Sequence, residues 1–411
     1  MNAFANLPFA TSRPLTLGVE LELQLVSPRD YDLTRAATDL LASLHHDGRC
    51  GDVKLEITES MIEVNTHPRQ DVTAIATDLE GLRGLLVEHC RRNNVVICGG
   101  GTHAFHRWPE RRICPGERFA FLNERYGYLS KQFTVFGQHI HIGVTSGDEA
   151  IWLTHALNMY VPHFVVLSAS SPFVDGADTA FDSARLNAVS AFPLSGQAPD
   201  VRDWAAFLEH MAVLQACGVA ESIKDLYWDV RPKPEYGTVE VRVCDTPLTV
   251  DRATELAAFA QSLARWLLRE RPPIDPPLQG LVARYNKFQA CRFGFNAELA
   301  DPLARCKRPI AKALAGLLDS LMEDARDLDC HRQIEALRRQ VESRQSDAGS
   351  ASSRLWLTVS FFRWLSSPDG ARSHGNRRAR ARARAQNRTD ARRQRKELVV
   401  RQVQLQQPLH L

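Results

Sequence analysis

The sequence predicts an α+β protein: a mainly antiparallel sheet with helices packed against one face and a concave active site on the other. Two observations carry that expectation. Several widely separated segments alternate apolar and polar residues with a period of two, and stretches with helical period lie between them. A third observation concerns the polar side of the alternation, where glutamate, histidine and arginine recur in place of the usual solvated mixture.

Taken in order, residues 15–26 place Leu17, Val19, Leu21, Leu23 and Leu25 on one face and Gly18, Glu20, Glu22 and Gln24 on the other. Residues 53–65 start with Val53, Leu55 and Ile57 in phase and resume with Ile62 and Val64 out of phase. That predicts one strand with a bulge near residues 58–60, leaving Glu59 and Glu63 on a common side. Residues 71–94 carry Val72, Ile75, Leu79, Leu82, Leu86 and Cys90 at steps of three and four, an apolar stripe suited to covering a sheet. The triple glycine at 99–101 lacks the lysine of a phosphate loop and reads as a turn, while His103 and His106 read as core or surface histidines. Residues 106–127 form a long basic stretch with two prolines, a loop length that usually serves a function.

Residues 133–145 set Ile140, Ile142 and Val144 against His139, His141 and Gly143. Helices are expected over 148–170 and 251–268, each opened by an aspartate able to cap a first turn. Between them, residues 233–237 make the turn of a hairpin from strand 227–231 to strand 238–244. There Val239, Val241 and Val243 oppose Glu240, Arg242 and Cys244, so Cys244 is expected to face the same side as the acid; nothing in the sequence marks it as a nucleophile. Helices fill 309–345.

The 411 residues, 44% apolar and 24% charged, describe ordinary globular material rather than a collagen-like, coiled-coil or wholly disordered chain. No apolar run approaches the ~20 residues that cross a bilayer, and the N-terminus lacks the pattern of a signal peptide, so a cytoplasmic protein with no membrane partner is expected. Nine scattered cysteines without a C-x-x-C pair point to reduced thiols. The net charge of +3 is uneven: residues 371–411 hold twelve Arg or Lys against two acids, which leaves the body acidic.

If the alternating strands join in one sheet, the aliphatic face lies under helices and the other becomes a cup holding Glu20, Glu22, Glu59, Glu63, Glu240, His141 and Arg242. So many carboxylates raise one another's pKa unless cations join them. A carboxylate-rich set without thiolates suits Mg²⁺ or Mn²⁺, which bridge to phosphates. Arginine's planar fork matches phosphate and carboxylate, which favours Arg185, Arg242 and Arg292 over any lysine. A structural ion pair is the alternative for each. Asn65 and Asn286 are candidates for nucleotide or substrate binding, or for capping strand ends.

GVELEL (18–23), EVN (63–65), FGQHIHIG (136–143), FDSARLN (181–187), WDVRPKP (228–234), GTVEVRVCDTPLTV (237–250) and NKFQACRFG (286–294) together resemble the bacterial type 2 glutamate-cysteine ligases, carboxylate-amine ligases of the glutamine synthetase-like superfamily. The resemblance runs from about residue 13 to 345. It implies a saddle-shaped, mainly antiparallel sheet with ATP and Mg²⁺ on its concave face. It also implies a reaction in which ATP phosphorylates a carboxylate, expected to be the γ-carboxyl of glutamate, and an amine, expected to be cysteine, then attacks. By the same likeness Glu20, Glu22, Glu59, Glu63, His141 and Glu240 fall where metal ligands are expected. Arg185 and Arg242 fall where cationic partners of phosphate or substrate are expected. Homodimer formation stays open.

The expected catalytic domain is 1–347. Beyond it, residues 348–411 form an Arg-rich tail expected to be disordered, because alternating Arg-Ala repels itself. A shifted reading frame accounts for the abrupt change better than a nucleic-acid tail does, since no folded nucleic-acid module accompanies the arginines. A metal hydrolase built on His139 and His141 is the other rival, and it would want further histidine ligands. The sequence alone makes one firm prediction: Glu240→Gln abolishes amide formation while the fold persists. Unchanged turnover would remove Glu240 from the site.

Overall fold

The computed structural model describes residues 7–44 and 48–348. Seven strands form the central sheet: β1 (Leu17–Val26), β2 (Asp52–Leu55), β3 (Met61–Asn65), β4 (Val96–Cys98), β5 (Gly137–Gly143), β6 (Val230–Lys233) and β7 (Thr238–Asp245). Their order is β6-β7-β5-β1-β3-β2, with β4 pairing the far end of β1, and every pairing is antiparallel. The α+β expectation is met.

Alternation does its work on the covered face. Leu17, Val19, Leu21, Leu23, Ile62, Val64, Ile140, Ile142, Val239 and Val241 are all fully buried in one core. The helices Val72–Arg92, Gly147–Asn158, Val161–Ser168 and Val250–Glu270 pack there. Phe164 and Phe259, both wholly buried, meet edge to face at 4.9 Å between the last two.

Helix ends follow local chemistry. Asp71 caps the helix Val72–Arg92, accepting from the Ala74 N–H at 2.8 Å. The helix expected over 148–170 instead starts on Ser146 and breaks at Met159–Tyr160, its halves bent by 62°, because Pro162 sits in the first turn of the second half. The later helix is capped by Thr249 and not by Asp251. Within residues 106–127, expected to be a loop, Trp108–Glu110 form a 3-10 turn and Glu117–Tyr126 an α-helix.

Two departures from simple alternation shape the other face. Residues 53–65 are a hairpin and not one bulged strand: β2 turns back on β3, with Lys54 opposite Glu63 and Leu55 opposite Ile62. A β-bulge does occur, but in β7, where the register with β5 slips between Val241 and Cys244. The extra residue turns Cys244 to the covered face, opposite Gln138, so it does not line the cup as strict parity required. Burial pushes its thiol up to about 12, the character of an inert core cysteine.

Among the described residues no single helix is long and apolar enough to cross a membrane. The Arg-rich tail, from residue 349 onward, lies outside the described residues.

Phe259→Ala empties the contact between sheet-covering helices and should cost about 3–5 kcal/mol. Chemical denaturation measures it, and a loss below about 1 kcal/mol would show that this contact is not central to the core.

Candidate active site

Cross-strand pairing assembles the polar face. On β1, Glu20 lies opposite Asn65 of β3 and His139 of β5, while Glu22 lies opposite Glu63. On β7, Glu240 lies opposite His141 of β5 and Arg231 of β6. Directly opposed residues have Cβ atoms about 5 Å apart, so pairing alone gathers the carboxylates.

They form two groups of three. In the first, Glu20, His141 and Glu240 each offer a donor atom within 4.8 Å of the others. His141 Nε2 is 3.2 Å from Glu20 Oε1, and its Nδ1 meets Thr238 Oγ1 at 3.0 Å. His139 Nδ1 is 3.2 Å from Glu20 Oε2 and 3.5 Å from Glu240 Oε1. Arg231 grips Glu240 Oε2 with Nε and Nη2, at 3.0 and 2.7 Å, and Arg242 contacts Oε1. Burial alone would raise both acids. At Glu20 the His141 charge and the hydrogen bonds from His139 and His141 outweigh burial, and at Glu240 the charges of Arg231 and Arg242 do. Both carboxyls lie well below their usual range. His139 is lowered by burial and by Arg242, which keeps its imidazole neutral.

The second group, Glu22, Glu56 and Glu63, has little cationic help. Burial and the Glu22 charge raise Glu56 to about 7, and burial with the Glu20 and Glu56 charges raises Glu63 well above its usual value. Asn65 supports Glu63 through Nδ2 at 2.9 Å. Glu22 accepts the Gly137 N–H at 2.5 Å and lies 3.9 Å from Arg185.

Arg185, 4% exposed, crosses directly over the sheet at Gly137, where a Cβ would fall 1.9 Å from its Nη2. Only glycine admits that approach. Its Nη1 donates to the Arg242 carbonyl at 3.2 Å, and its buried Nε has no partner. Beside it a small cavity is lined by Glu22, His139, Arg185, Tyr227, Asp229 and Arg242, among others. Lys287 binds both Asp229 oxygens at 2.9 and 2.8 Å.

Of the residues singled out from sequence, Glu20, Glu22, Glu63, Glu240, His141, Asn65, Arg185 and Arg242 therefore converge. Three do not. Glu59 accepts from the Thr38 hydroxyl and N–H at 2.7 and 3.2 Å, capping a short helix, because the hairpin turn carries it off the strand. Asn286 spends both ends of its amide on the Ala300 backbone, at 2.9 and 2.8 Å. Arg292 donates to the Ala180 carbonyl and lies against Phe181 and Phe293. Glu56, Arg231 and Asp229 with Lys287 were not anticipated. Glu56 continues the Asp52, Lys54 alternation, a signal hidden by reading the segment as one strand.

The donor set, carboxylates with one imidazole and no thiolate, fits a hard divalent cation such as Mg²⁺ or Mn²⁺. It departs from the histidine-rich set of a zinc hydrolase, since carboxylates supply five of the six residues in the two groups.

An antiparallel sheet with helices on one face and two carboxylate groups beside arginines on the other gives an α+β enzyme with an acidic site on its polar face. The chain belongs to glutamate-cysteine ligase family 2, whose pattern matches residues 16–381, further than the likeness ending near residue 345. A relative from Dechloromonas aromatica, provisionally named glutamate-cysteine ligase 2, is 66% identical over 340 residues, 83% of this chain and 88% of its own. One from Azoarcus with the same name is 52% identical, covering 83% and 91%. A solved glutamate-cysteine ligase from Francisella tularensis in complex with AMP shares the fold, with a TM-score of 0.65 at 13% identity over 95% of this chain and 96% of that one.

Glu56 and Glu63 make stability depend on pH. A carboxyl raised on folding holds its proton while the unfolded chain has released it, so the native state loses stability as pH rises from about 4.5 to about 7. Without divalent ions the thermal midpoint should fall across that window. Glu56→Gln should flatten the slope and Mg²⁺ should abolish it; a slope unchanged by both would show that the two acids do not titrate together.

Proposed function

We propose that this chain is an ATP-dependent ligase that joins the γ-carboxyl of glutamate to the amino group of cysteine. The observation that carries this reading is the union of two acidic groups, Glu20–His141–Glu240 and Glu22–Glu56–Glu63, with the buried Arg185 and the half-buried Arg242 over one sheet face. The names of the relatives agree with it.

In the reaction, a γ-carboxylate oxygen attacks the terminal phosphorus of ATP, and ADP leaves. The amine nitrogen then attacks the acyl carbon, phosphate departs and the nitrogen gives up a proton. Mg²⁺, held by the two acidic groups, would draw the phosphates together and offset their charge. The chain's own groups supply alignment and charge, which is most of what phosphoryl transfer asks of a protein. Arg185 has an unpartnered Nε, and so can take a phosphate or carboxylate oxygen without breaking an existing bond there. Arg242 reaches the same cavity from the bulged strand. Arg231 acts through Glu240: it occupies one oxygen and leaves the other toward His139 and Arg242. Neutral His139 can accept a hydrogen bond without adding charge beside the arginines. Asn65 steadies Glu63 through its Nδ2.

ADP release should require Mg²⁺, glutamate and cysteine together, read by a coupled assay and by mass detection of the dipeptide. Release that ignores the acid or the amine would refute ligation. Arg185→Lys, which keeps the charge and loses the fork, should lower kcat/KM by about 100-fold.

A further inference from the structure

We propose that Asp245 is a positioning residue for Arg185: through Ser171 and Ser183 it fixes the stretch of backbone from which the guanidinium reaches over the sheet. The role rests on the ligase reading, in which Arg185 meets phosphate or substrate, and it gives the triple glycine at 99–101 a task.

Asp245 ends β7 and is wholly buried, with both oxygens engaged. Oδ2 accepts the Ser170 N–H at 2.9 Å and the Ser171 hydroxyl at 2.7 Å, and Oδ1 accepts the Ser183 hydroxyl at 3.0 Å. Ser171 carries the constraint onward. Its Oγ accepts the Arg185 N–H at 3.1 Å, and its carbonyl accepts the Ala184 N–H at 3.0 Å. Arg185 opens the helix Arg185–Val189, whose N-cap, Ala184, has no side chain that could hold a first-turn amide. Ser171 supplies that acceptor from outside the helix. Because its hydroxyl hydrogen points at Asp245, its lone pairs are left for the Arg185 N–H.

Space for this arrangement comes from glycine. A Cβ at Gly101 would fall 2.5 Å from Asp245 Cγ, and Gly137 gives the Arg185 guanidinium the same clearance. The Gly101 N–H also donates to Ser170 Oγ at 3.1 Å, so the glycine run lies against the same carboxyl. Burial raises the Asp245 carboxyl, and the Arg185 charge is the largest influence against it. The two groups are therefore linked by charge as well as by hydrogen bonds.

Asp245→Asn keeps the size of the side chain. Its oxygen must stay with the Ser170 N–H, which can only donate, so its amide nitrogen falls on Ser183 and the Ser183 hydroxyl loses its acceptor. In the full chain, kcat/KM for ADP release that depends on glutamate and cysteine should drop about tenfold. In an Arg185→Lys background the same change should cost less than about twofold, because the group being positioned is gone. Equal losses in both backgrounds would overturn the proposal. Ser183→Ala, a smaller disturbance, should repeat the pattern if Asp245→Asn fails to fold. A second readout needs no turnover: exchange of the Arg185 Nε–H with water, followed by NMR on arginine-labelled protein, should quicken about tenfold or more in Ser183→Ala. Unchanged exchange in that folded variant would equally overturn the role of Asp245. If wild type releases no ADP, the ligase reading fails, and the exchange measurement still decides what places Arg185.

Discussion

Burying carboxylates beside one another is the constraint on which the rest of this structure depends. Glu20, Glu22, Glu56, Glu63 and Glu240 share one side of a sheet, and each loses hydration there. A buried charge without a partner costs several kcal/mol, so the surrounding elements exist in part to supply countercharge. Arg231 arrives on the neighbouring strand, Arg242 on the same strand, and Arg185 from a five-residue helix that rides over Gly137.

The compensation is unequal, and the inequality is informative. The Glu20–His141–Glu240 group is held ionised by the protein's own cations, whereas Glu56 and Glu63 keep their protons near neutrality. The first group is thus compensated by the protein's own cations, and the second is not. Differences of this kind between neighbouring acids often mark functional centres. Here they set Glu20 and Glu240, held charged, apart from Glu56 and Glu63, which burial and neighbouring acids hold protonated.

Small backbone irregularities direct the larger elements. The bulge in β7 turns Cys244 into the core while Arg242 stays with the acids. Without it, the thiol would stand on the polar face. The hairpin between β2 and β3 has a similar effect on the acids: it sends Glu59 to cap a helix and brings Glu56 into the cup in its place. Asp229, fixed by Lys287 from the helix Pro276–Phe293, closes the cavity side of the same face.

The sequence by itself determined which strands are amphipathic, which faces are apolar, and that Glu20, Glu22, Glu63, His141, Glu240 and Arg242 share a side, because side-chain parity along a regular strand is a local property. It also placed Arg185 near the acids through family likeness. Tertiary structure decided the rest. Whether residues 53–65 bulge or fold back depends on pairing with β1, and a single inserted residue reverses parity beyond it. That is why Glu59 was misplaced, Glu56 overlooked and Cys244 assigned to the wrong face. Asn286 and Arg292 went astray for a related reason: a helix side chain meets whatever the fold packs against it, here the Ala300 and Ala180 carbonyls. Those partners are non-local, and no periodicity in the chain records them.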